Sequence, residues 1–148
     1  MSLTEIVRKD ACELPLKDAA FQLWRYKDRL DDEEFGAPKL IHFDDAAEQA
    51  RHMQSIMDKI RHEHDFAHEG VTFDRLKRAQ PNASDANIRE AIKAAVTMMD
   101  ACSKYFDANY TSFGDAIDKA LAKARSENPG FREDTWRHAG NWLVYVMK

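Results

Sequence analysis

The chain has 148 residues, the length of one ordinary domain. Its 22 Lys+Arg and 26 Asp+Glu leave a formal net charge of −4, and hydrophobic residues make up 44%. Five Gly and four Pro exclude a collagenous or linker-like chain. Two Cys do not make a disulfide framework, and no apolar run approaches the roughly 20 residues of a membrane helix.

The charge is uneven. Residues 1–50 carry net −5, residues 51–100 net 0 and residues 101–148 net +1. The acidic excess includes Asp31-Asp32-Glu33-Glu34. Such a balance gives no general pull toward nucleic acid or anionic lipid, so a nucleic-acid or membrane partner is not expected. The mean hydropathy of −0.64 suits helices with one apolar stripe and wide polar faces. The first residues show no apolar signal region, and the expectation is a cytoplasmic protein with reduced thiols.

Helical periodicity dominates the chain. A first short helix is predicted over roughly residues 3–12. After Pro15, apolar residues at Leu16, Ala20, Leu23, Trp24 and Leu30 mark one helical face that ends at Phe35-Gly36-Ala37-Pro38. Pro15 suits the first turn of that helix. Leu40-Ile41-His42-Phe43 is a short apolar run. A long helix then carries Ala46, Ala50, Met53, Met57, Ile60 and His64 at alternating spacings of four and three.

Gly70 closes that region. Thr72 is expected to cap a short helix through Leu76, which Gln80-Pro81-Asn82 stops. Ser84 is the expected N-cap of the next helix, with Ile88, Ile92, Ala95, Met99, Cys102 and Phe106 inward. Ser112-Phe113-Gly114-Asp115 opens another, with Ile117, Ala120, Leu121 and Ala124 inward, and Asn128-Pro129-Gly130 is a turn. The tail from Glu133 can be helical, with Trp136, Gly140, Leu143 and Met147 on one side. Yet Trp142-Leu143-Val144-Tyr145-Val146 is rich in strand formers. The expected fold is therefore all-α, a single-domain bundle of five or six helices over residues 1–148. A small two-stranded patch, residues 40–43 against 142–146, is the variant.

One cluster concentrates chemistry: Arg61-His62-Glu63-His64-Asp65-Phe66-Ala67-His68-Glu69, with three of the six histidines. Residues four apart on a helix stack on one face, so His64 and His68 can share a divalent metal ion. Asp65 is placed to ligate or to accept from an imidazole. His64-Asp65-x-x-His68 resembles the zincin motif H-E-x-x-H, with Asp where that motif has its general-base Glu. The His64-Asp65 pair also resembles that of the all-helical HD phosphohydrolases, which implies further ligands such as His42 and Asp100. The ordinary reading of the same residues is a solvated helix end whose histidines suit the helix dipole.

Other candidates are weaker. No glycine-rich phosphate loop or nucleophile motif occurs. Asp31–Glu34 reads as a solvated helix end, and Arg75, Lys77 and Arg78 read as a basic cluster that balances nearby acids. Tyr105 and Tyr110 are free to face outward and to anchor a partner. The leading functional expectation is a non-enzymatic, macromolecule-binding helical protein of an adaptor, regulatory or immunity type. Its partner is another protein or a second copy of itself, and its acidic first third offers a face to a basic surface. The alternative is a metal-binding protein or metal-dependent hydrolase centred on His64, Asp65 and His68.

Overall fold

A computed structural model describes residues 1–36 and 70–148, with the helical residues 46–51, 53–54 and 57. Most of the described residues are helical, and none of them lies in a strand. The helices with defined bounds are α1 (Leu3–Glu13), α2 (Leu16–Arg25), α3 (Lys27–Phe35), α4 (Val71–Ala79), α5 (Asp85–Lys104), α6 (Phe113–Glu127) and α7 (Glu133–Met147). The all-α class is as expected, with more and shorter helices than five or six.

α2 lies at the centre. Seven consecutive residues, Asp18 to Trp24, are buried, so this helix is enclosed on all sides. It packs mainly on α5 and α1. α5 supplies Ile88, Ala91, Ile92, Ala95, Val96, Met98, Met99 and Cys102 to the core. Ala19 and Ala20 on α2, with Ala91 and Ala95 on α5, are small enough for close helix approach. α6 leans on α5, and α7 closes the bundle against α6, α5 and α2. Gly140 matters there, because a Cβ at this position would lie 3.0 Å from Leu121 Cδ1. Full burial of side chains such as Phe21 or Leu23 is worth ~1.5–3 kcal/mol each.

The caps explain the element boundaries. Ser2, Ser84 and Ser112 accept from the backbone N–H three residues on, at Glu5, Asn87 and Asp115. Gln80 Nε2 donates to the carbonyls of Ala11 and Leu14, at 2.9 and 2.8 Å, and so satisfies the end of α1 from another helix. Gly36, with φ of +89°, terminates α3 in a backbone conformation that glycine adopts without strain.

Several expectations are corrected. The single helix after Pro15 breaks at Tyr26, whose φ of −99° and ψ of 17° depart from the helix, into α2 and α3. Pro15 is the N-cap of α2 rather than a residue of its first turn. Thr72 lies buried inside α4, whose N-cap is Gly70. Residues 142–146 are helical, which removes that strand of the proposed patch. α7 keeps its backbone hydrogen bonds within itself, and buried Leu143, with Trp142, Val144 and Met147 half-buried against the core, anchors this stretch. Residues 40–43 lie outside the described residues. The Ala46, Ala50, Met53 and Met57 positions of the expected packed stripe are exposed.

Candidate functional site

The metal-ligating candidates His64, Asp65 and His68 lie outside the described residues. Among the described residues, no group of three or more His, Cys, Asp or Glu is placed to hold a metal ion. Among these residues, too, no helix is long and apolar enough to cross a membrane.

The structure separates the two tyrosine candidates. Tyr105 is not free. Its hydroxyl donates to both carboxylate oxygens of Glu127, at 2.6 and 2.5 Å. The ammonium groups of Lys104 and Lys123 lie over its ring. The bond to Glu127 pushes the phenol up, so it stays a donor. Tyr110 is 45% exposed and stacks at 5.7 Å on Phe106 and 5.5 Å on Phe113. It is an outward ring held in place by its neighbours.

The larger exposed apolar surface is one the spacing did not single out. Trp142 to Met147 are six apolar residues in a row at the end of α7, of which only Leu143 is buried. Tyr145 is 83% exposed and Val146 is 44% exposed. From His138 to Met147 no Asp, Glu, Lys or Arg occurs. His138 itself is held below its ordinary value, first by burial and then by Arg25 and Arg137. It is therefore neutral at neutral pH. The signal was present in the sequence as a run of strand formers, which also describes a helix end with apolar residues all round.

A second feature sits where α1, α3 and α4 meet. Arg75 on α4 has a side chain only 4% exposed. Its Nη2 donates to Asp31 Oδ1 at 2.6 Å and to Glu34 Oε2 at 3.0 Å, and its Nε donates to Glu34 at 3.3 Å. Its Nη1 is buried and has no hydrogen-bond partner. Arg8 on α1 donates to Glu33 at 2.8 Å and more weakly to Glu34 at 3.4 Å. The Thr4 hydroxyl also donates to Glu33. Burial works to raise Glu34 and is its largest single influence. Arg75 and Arg8 together outweigh it and hold the carboxyl below its usual range. Three carboxylates of the acidic run, Asp31, Glu33 and Glu34, are thus paired with arginines of their own chain. Lys77 likewise pairs with Asp85 at 3.2 Å, so Arg75 and Lys77 do balance nearby acids as expected.

Beside Arg75 lies a cleft of about 260 Å³, lined by Arg8, Arg78, Glu34, Cys12 and the apolar Ala11, Leu23 and Ala79. Cys12 is exposed there, whereas Cys102 is buried and its thiol is pushed up to about 11 by that burial. No family model, no curated protein and no solved structure matches this chain.

Proposed function

We propose that this protein is a non-enzymatic helical module that acts by binding protein, and that the apolar end of α7 is its docking face. The observation that carries this reading is the solvent exposure of Tyr145 and Val146 within a stretch of six apolar residues. A helix apolar on all sides is ordinarily covered by another element. Large exposed aromatics flanked by aliphatics are the residue types that dominate binding energy at interfaces.

The occupant we commit to is a second copy of the chain. The face has no Asp, Glu, Lys or Arg from His138 to Met147, so two copies can pack it together without burying an unpaired acidic or basic side chain of this stretch. Sedimentation equilibrium of the full chain tests this. The parent is expected to be a dimer. A Tyr145→Glu/Val146→Glu variant with an unchanged helical circular dichroism spectrum is expected to be a monomer. A parent that stays monomeric at the highest concentration reached overturns the reading, as does a variant that dimerises equally well. Elemental analysis of the same chelator-free preparation tests the alternative. A stoichiometric metal ion lost from a folded His64→Ala/His68→Ala variant would move the assignment to a metal-dependent protein.

A further inference from the structure

The cleft beside Arg75 has three properties that do not follow from core packing. Among the described residues its lining holds three arginines, Arg8, Arg75 and Arg78, and one acid, Glu34. Asp31 and Glu33, which take part of the same guanidinium charge, are not among its lining residues. Arg75 Nη1 carries two N–H donors shut away from water without an acceptor, a costly state for a charged group. The rest of the described lining is Cys12 and the apolar Ala11, Leu23 and Ala79. Positive head-group chemistry at one side and an apolar wall at the other is the usual make-up of a small-ligand site.

We propose that this cleft binds a small organic carboxylate. The head group meets the arginines, and the short apolar body lies on Ala11, Leu23 and Ala79. A guanidinium is the side chain best matched to a planar carboxylate, because its N–H groups form a fork. Glu34 and Asp31 keep the Arg75 guanidinium in place at the cleft's edge. Arg78, exposed on the next turn of space along α4, attracts the anion to the mouth. This site is independent of the docking face on α7.

Cys12 gives a direct readout, because its exposed thiol lies in the cleft wall. Iodoacetate is itself a small carboxylate. The Cys12 thiolate forms a bond to its methylene carbon as iodide leaves, and the thiol proton passes to buffer. Iodoacetamide is the neutral control, and buried Cys102 does not compete. Labelling of Cys12 in the whole protein is followed by peptide mass spectrometry. The rate ratio of iodoacetate to iodoacetamide is expected to exceed that of free cysteine by about tenfold. The iodoacetate rate is expected to saturate with concentration and to be slowed by butyrate but not by butanol. Arg78→Ala removes an exposed side chain and is expected to lose the preference while retaining the helical spectrum. Labelling that never saturates, proceeds at the free-cysteine ratio and ignores butyrate overturns the proposal.

Discussion

Asp18, in the middle of α2, accepts a hydrogen bond of 2.5 Å from the hydroxyl of Thr135, which lies 117 residues further along the chain. The same Oδ1 accepts from the backbone N–H of Arg132 at 2.9 Å. A carboxylate from the central helix thereby caps the first turn of the last one. Arg132 occupies the N-cap position of α7 but makes no side-chain cap bond of its own.

Removal of that cap by Asp18→Ala is expected to destabilise the fold by about 2–3 kcal/mol. It combines loss of a helix cap with a buried Thr135 hydroxyl left unpaired. Asp18→Asn retains an acceptor oxygen and is expected to lose less. Urea unfolding of both variants measures the difference. An equal loss in both would show that the charge, and not the acceptor, matters.

Arg75 ties α4 to α3 through Asp31 and Glu34. Arg75→Leu strands two carboxylates and is expected to cost about 2–3 kcal/mol. This falls short of a fully buried pair because both acids are partly exposed. Arg75→Lys keeps the charge but not the fork, and only part of the stability returns. The loss is read from urea midpoints. An Arg75→Leu midpoint equal to the parent's would show that the pair contributes nothing.

Stability is expected to respond to acid in two steps. His138 is depressed in the fold, so the unfolded chain takes up its proton first. Stability is full above the ordinary histidine value and falls as pH drops through the folded one. Glu34 is also depressed, so its contribution is present above the usual carboxylate range and is lost as pH falls through the folded value. A pH series of thermal unfolding checks both. His138→Gln should flatten only the upper step, and Glu34→Gln only the lower.

Much of the fold was legible in one sequence because helix signals are local. Ser84 and Ser112 cap where their positions predict. Ile88, Ile92, Ala95, Met99 and Cys102 are buried as their spacing requires. Phe106 falls beyond the end of α5 but still packs, half-buried, against the core, its ring edge-on to Phe113. The candidate sites were less legible. Tyr105 looked as free as Tyr110, since nothing in the spacing of residues 105 and 127 announces that Glu127 accepts its hydroxyl. The pairing of Asp31, Glu33 and Glu34 was hidden because Arg8 and Arg75, which engage them, are distant in sequence.

Residue spacing alone carries the helical class, the capped starts of α5 and α6 and the inward faces of both. A cap or a stripe is a relation between residues three or four apart, within reach of one turn. Only the tertiary structure decided that α2 is enclosed on all sides and that Asp18 caps α7. It also decided that residues 142–146 stay helical, and that Arg75 stands beside a cleft with a donor unspent. Each of these depends on groups brought together across dozens of residues, where packing and desolvation choose the partner and no local spacing encodes the choice.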